Sequence, residues 1–191
     1  IIFVSKPRCA STSIFNHLYD WDDSTHGGKP LYHCTALDMI KILGKNYWQQ
    51  RKSIAVVRDP LKLVVSWYVH HKNHKDANVR SFYPSFSDWV SRGFKTHWDK
   101  GWSASQRTIS PLKQKQWICQ TGSNEILVTD VIKMESLNEY AFPGGQVSVS
   151  NSSSRHGTIT VSEAEFRRVT YFLSEDYSFF DYDQVNHFSG G

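Results

Sequence analysis

Apolar positions along this chain fall into two patterns: short unbroken runs, and longer stretches spaced three and four residues apart. Ile1 to Val4 and Ser53-Ile54-Ala55-Val56-Val57 are of the first kind, short and β-branched as buried strands are. Glu125-Ile126-Leu127-Val128 predicts a third parallel strand. After the first run, Ile14, Phe15 and Leu18 mark a helix over about 12–20. After the second, Leu63, Val64, Trp67 and Tyr68 mark one over about 60–75, and a further helix is expected over about 35–44. Ser87 is expected to cap a short amphipathic piece holding Trp89 and Val90, and a helix near 111–120 follows. Thr160 and Ser162 offer capping boxes with Glu163 and Glu165, opening a last helix that ends at Phe172 or Leu173. Residues 95–110 lack periodicity and read as a loop, and the tract from Pro143 to Gly157 is rich in Gly and Ser. Strands alternating with helices predict an α/β fold around a parallel sheet with right-handed crossovers. With no internal repeat or linker, residues 1–191 are expected to form a single domain.

Composition narrows this only a little. A 39% hydrophobic content with seven tryptophans supports a sizeable core, and no stretch approaches the roughly 20 apolar residues of a membrane span. Three cysteines cannot all pair within the chain and match no zinc spacing, so a reducing compartment is the simpler expectation. The formal charge of +4 is modest, but basic residues concentrate between Lys41 and Lys75, which suits an anionic ligand. No nucleic-acid-binding motif or pronounced basic tract is present, so a nucleic-acid partner is not expected.

The chemistry gathers where strands give way to helices. Ser5-Lys6-Pro7-Arg8-Cys9-Ala10-Ser11-Thr12-Ser13 is a turn crowded with hydroxyls and cations between the first strand and its helix. A helix start presents backbone N–H groups and the positive end of its dipole to an anion. The turn has no glycine and no G-x-x-x-x-G-K, which argues against an ordinary nucleoside-triphosphate loop. The same arrangement recurs after the second strand. Arg58 sits at its carboxyl end, Asp59 is a suitable N-cap, Pro60 suits the first helical position, and Ser66 lies about two turns into the helix. Ligands of parallel sheets bind outside the carboxyl ends of strands, so two such turns on one edge imply a ligand with two separated anionic groups.

Together these segments resemble the paired cofactor motifs of sulfotransferases that use 3′-phosphoadenosine 5′-phosphosulfate (PAPS). Pro7-Arg8 followed by small residues and Thr12-Ser13 is similar to the loop around the 5′-phosphosulfate. Arg58, Asp59, Pro60, Ser66 and Tyr68 are similar to the 3′-phosphate motif. The run from Leu31 to Gly44 with His33 and Thr35-Ala36-Leu37 resembles the carbohydrate-type branch. So do Gln116-Trp117-Ile118, Lys133 to Leu137, Asn151-Ser152-Ser153 and the ending Asp176 to Tyr182. In order and spacing the likeness covers most of the chain. Three positions depart from the pattern: Arg8 stands where lysine is commoner, Leu63 where arginine is usual, and Lys6 where an apolar residue is usual. Lys6 would supply a replacement charge if its side chain turned toward the site.

The resemblance implies a P-loop-NTPase-like three-layer fold, with a central parallel sheet flanked by helices. It implies transfer of a sulfuryl group from PAPS, leaving the product PAP, to an acceptor hydroxyl, most often on a carbohydrate. Such transfer is an in-line displacement that asks the protein to position reactants and stabilise moving charge, with no metal ion. Arg8 is the candidate for the charge developing on the leaving phosphate. Cys9, Ala10, Ser11, Thr12 and Ser13 are the candidates for the 5′-phosphosulfate, and Arg58 and Ser66 for the 3′-phosphate. Arg155, before His156-Gly157, is a candidate to close over the 3′-phosphate, against the alternative of a plain loop arginine. His33 is the candidate general base, because histidine titrates in the right range to deprotonate a hydroxyl. The loop over 95–110 is expected beside the acceptor, and Trp98, Trp102 and Trp117 are candidates to stack on adenine or a sugar, or else core residues.

The same residues admit other readings. His70 and His74 share a helix face at metal-like spacing, but no acid completes H-E-x-x-H, so a solvated helix end is expected. Cys9 beside Arg8 at a helix start is a candidate for a lowered pKa, against a default role as a small loop filler. The rival functions are an ATP-dependent nucleotide or small-molecule kinase, and a non-catalytic module binding PAP or other sulfated or phosphorylated ligands. A cytoplasmic location is expected, or the Golgi lumen if an N-terminal anchor has been removed. A small-molecule or glycan acceptor is the expected partner.

Overall fold

A computed structural model describes residues 1–19, 33–97, 109–147 and 159–184. Its sheet has three strands, β1 (Ile2–Val4), β2 (Ser53–Val57) and β3 (Asp130–Lys133), in the order β1-β2-β3 with both pairings parallel. The register sets Phe3 against Ile54 and Ala55 against Val131. Because β1 and β2 are parallel neighbours, the two strand-to-helix turns leave the same sheet edge side by side. Every residue of β1 and β2 is buried, as expected for strands covered on both faces.

Helices α1 (Ser11–Tyr19), α2 (Ala36–Leu43) and α3 (Lys45–Gln49) lie between β1 and β2. After β2 come α4 (Pro60–Lys72), α5 (Ala77–Arg80), α6 (Phe86–Ser91) and the short α7 (Lys115–Ile118). A 3-10 turn (Met134–Glu139), α8 (Glu163–Phe172) and α9 (Ser174–Phe179) follow β3. The capping box expected at Ser162 and Glu165 opens α8. The cap of α6 is Ser85 rather than Ser87, its Oγ accepting from Asp88 N; Ser87 is exposed within the helix.

The third strand lies later than its apolar run suggested. Gln120 N donates to Glu125 O at 2.9 Å and Leu127 N to Ile118 O at 2.8 Å, so the chain folds back on itself around Gly122, whose φ is 74°. Local antiparallel pairing thus uses up Glu125 to Leu127, and Ile126 is 46% exposed. The sheet is joined only afterwards, where Thr129 N donates to Ser53 O at 2.8 Å and Asp130 pairs with Lys52 at 2.8 Å.

The core beneath α4 is aromatic. Trp67, Tyr68, Tyr83 and Trp89 are all at most 2% exposed. Their polar edges are satisfied as burial requires: Trp67 Nε1 donates to Tyr83 Oη at 2.9 Å and Trp89 Nε1 to Lys95 O at 2.8 Å. Each such side chain stabilises the fold by roughly 2–3 kcal/mol. This packing fixes α4, and with it the face that carries Ser66. Among the described residues, no helix is long and apolar enough to cross a membrane.

Candidate functional site

The first turn runs from Ser5 to Ser11 in an unusual backbone. Arg8 (φ 64°) and Ala10 (φ 55°) are left-handed, and so is His33 (φ 57°) beside them. These are three of the five non-glycine residues with positive φ among those described. Each costs an L-residue roughly 1–2 kcal/mol, so the strain is concentrated where the sequence placed its chemistry. Ser11 Oγ closes the loop by donating to Lys6 O at 2.6 Å. Ala10 O accepts from Ile14 N at 3.0 Å and so begins α1, but alanine has no side-chain oxygen to cap the first-turn N–H groups. Thr12 is exposed at that helix start and Ser13 is buried.

The second turn is built differently. Asp59 Oδ1 accepts from Lys62 N at 2.8 Å, and Asp59 N donates to Glu135 Oε1 at 3.1 Å. The start of α4 is therefore occupied by the protein's own carboxylate, and it offers no dipole end to a ligand. What this turn presents is cationic side chain and hydroxyl. Arg58 is half-buried, and its Nη1 donates to Arg8 O at 3.4 Å. Ser66 is fully buried and accepts from Arg8 Nε at 3.2 Å, while Arg8 Nη1 lies 3.3 Å from His70 Nδ1. The sequence assigned Arg8 and Ser66 to opposite ends of a ligand, yet here they touch.

His33 is buried against the first turn. Its backbone N donates to Ser5 Oγ at 3.0 Å, and its Nδ1 donates to Ser5 O at 2.7 Å. That bond places the proton on Nδ1 of the neutral ring and leaves Nε2 as the basic nitrogen. Burial, with a contribution from the Lys6 ammonium, pulls its pKa down to about 4.

Lys6 does not turn outward. It is 1% exposed, its Nζ 3.9 Å from Cys9 Sγ, and burial lowers its pKa. Leu63, where a cation was expected, is wholly buried: that position faces the core, so no charge is missing from the surface there. Of the two readings of Cys9, the default one fits the structure. Burial outweighs the nearby cations and raises its pKa, which makes it a packed thiol rather than a reactive one. All three cysteines are buried, and none forms a disulfide. Trp117 is 2% exposed with Nε1 on Ser110 O at 3.2 Å, a core residue. Trp98, Trp102, Arg155 and the Asn151-Ser152-Ser153 run lie outside the described residues.

One joining residue, Gln114, escaped the sequence reading. Gln114 is fully buried; its Nε2 donates to Arg58 O at 2.7 Å, and its Oε1 accepts from Arg58 N at 2.8 Å and from Cys9 Sγ at 3.8 Å. One amide thus clamps both turns. Asp176 fixes it in turn, accepting from Gln114 N at 2.7 Å and Lys115 N at 2.9 Å. Glu135, which holds Asp59 N, also accepts from Tyr182 Oη at 2.9 Å. A glutamine between two lysines carries no periodic signal; the segments Lys133 to Leu137 and Asp176 to Tyr182, singled out as motifs, hinted that these parts meet.

The histidines of α4 are not a uniform solvated end. His71 is buried with Nδ1 donating to Trp67 O at 2.8 Å, and burial pulls its pKa down to about 2. His74 Nδ1 accepts from Asp76 N at 3.1 Å. Among the described residues no group of three or more His, Cys, Asp or Glu is set to hold a metal ion. Compared with protein-family models, curated proteins and solved structures, the chain matches none of them.

Proposed function

We propose that the chain is a PAPS-dependent sulfotransferase of P-loop-like three-layer fold, acting on an acceptor hydroxyl of a carbohydrate. The observation that carries the reading is the pairing of the turns: Arg8 reaches from the first to Ser66 in the second, with Arg58 alongside. The donor set suits a ligand with two phosphate-class groups. The start of α1, without a side-chain cap at Ala10, suits one of them, and Arg58 with Ser66 suits the other.

The donor supplies a sulfuryl group on a phosphate leaving group. Arg8 stabilises the charge that develops on the leaving oxygen, and Thr12 and Ser13 orient the group being transferred. His33 Nε2 takes the acceptor's proton as sulfur is attacked, while Ser5 O holds the ring by Nδ1. A base at about 4 is weak, mainly because the ring is buried; the negative charge of a donor beside it would push that value up.

The test is calorimetry with PAP and ATP, joined to a radiolabelled-PAPS transfer screen over glycan, phenolic, steroid and amine acceptors. The reading expects PAP to bind in preference to ATP, transfer to at least one acceptor, and a turnover loss of about 10²–10⁴ in His33→Ala. Equal affinity for ATP would sink it. The low basicity of His33 favours one second reading, a binding module without catalysis; PAP binding with no transfer to any acceptor would establish that instead.

A further inference from the structure

His70 lies one turn beyond Ser66 on α4, so the two share a helix face. Both meet one guanidinium: Ser66 Oγ is 3.2 Å from Arg8 Nε and His70 Nδ1 is 3.3 Å from Arg8 Nη1. A guanidinium donates five N–H groups and accepts nothing, so His70 Nδ1 is the acceptor in this contact and its ring is neutral there. The His70 side chain is exposed, and its ring meets that of buried His71 edge to face at 4.7 Å. Arg8 is therefore held at an exposed histidine, beside the hydroxyl assigned to an anion.

We propose that His70 is a positioning residue for Arg8, holding the guanidinium across Ser66 when neutral and releasing it toward a bound phosphate-class anion when protonated. The proposal rests on the donor reading above and extends it to a residue that the paired motifs do not include. Protonation converts Nδ1 from acceptor to donor and sets two cations at contact distance. That contact then breaks, and both groups are left pointing donors at the same place. An anion between them relieves the repulsion, so proton and anion each favour the other's binding, by reciprocal linkage.

Among the described residues, the other groups around this pair are separable from such a pH dependence between 6 and 8. Arg58, against Arg8 O, is an arginine and keeps its charge. His71 is held neutral by burial down to about 2. His97, with its ring 4.7 Å from that of His71, is separated by carrying His97→Gln through the same titration.

The experiment measures PAP affinity by calorimetry from pH 8 to pH 6 on the full chain, wild type against His70→Gln. Glutamine keeps an acceptor but does not titrate, and the exposed position leaves the fold intact. Titration of the ligand's own phosphates is common to both proteins and cancels in the comparison. Wild type should gain about fivefold in affinity relative to the variant as pH falls. In parallel, NMR of the ligand-free protein should show the His70 pKa rising in Arg8→Gln, because a neighbouring cation has been removed. Matching pH profiles for wild type and His70→Gln, or a His70 pKa indifferent to Arg8→Gln, would overturn this proposal alone. PAP that binds neither protein at any pH would overturn the donor reading together with it.

Discussion

The two turns that carry the chemistry resemble each other in sequence but not in how their helices begin. At the second, Asp59 caps α4 and is itself held by Glu135, so the positive helix end is already answered by carboxylate. At the first, Ala10 starts α1 with no side-chain oxygen, after a backbone twisted left-handed at Arg8 and Ala10. One turn is internally satisfied and contributes cations; the other is strained and starts its helix without a side-chain cap at Ala10. On the proposed reading, paired anion sites need not be built from the same parts. A cation on a buried frame can do at one end what backbone N–H groups do at the other.

Acid offers the widest test of this contrast, because each turn has its own buried histidine. His33 leans on the first turn and His71 sits in the helix after the second, both with folded pKa values below the usual 6.5. The unfolded chain therefore binds more protons below about 6.5, and stability must fall as pH drops through that value toward the folded pKa. Between pH 7 and pH 5 each histidine should cost about 2 kcal/mol. Denaturant melts at both pH values should show the loss, with His71→Gln removing part of it. A flat profile would mean that neither ring is buried neutral.

Breaking the clamp comes next. Gln114→Ala leaves Arg58 N–H and C=O without their partner in a buried place, at a cost of about 2–3 kcal/mol. It should also weaken PAP binding more than Gln114→Glu does, since both turns lean on this side chain. Asp59→Ala removes the cap of α4 and should cost about 1–2 kcal/mol in a chemical melt. If the helix end is what the carboxylate answers, Asp59→Asn, which can still cap, should recover most of that. The smallest effect is expected at Ala10→Gly. Relief of the left-handed strain outweighs the extra backbone freedom of glycine by about 0.5 kcal/mol, raising the melting temperature slightly. A fall would show that the loop relaxes when the protein is free in solution.

Much of this was legible along the chain because it rests on neighbours in sequence. The β-branched run at Ser53 to Val57, the helix spacing of Leu63, Val64, Trp67 and Tyr68, and the Ser162–Glu165 box all name their elements. The third strand misled because Glu125 to Leu127 has strand composition but pairs backward onto Ile118 and Gln120, a choice composition does not record. The sequence leaves Lys6 open for a similar reason: which way a lysine beside such a turn points is not written in its neighbours, and only the fold buries it on Cys9.

By itself, then, the sequence determined the alternating elements and set Arg8, Arg58 and Ser66 where strands yield to helices, because hydrophobic period and capping act over a few residues. Only the tertiary structure decided that parallel pairing of β1 with β2 brings Arg8 onto Ser66 and His70, and that Gln114 ties the turns together. Those are contacts across fifty residues or more, as between Arg8 and Ser66 (58 apart) or Gln114 and Cys9 (105 apart), and local spacing carries no information about which distant groups will be desolvated together.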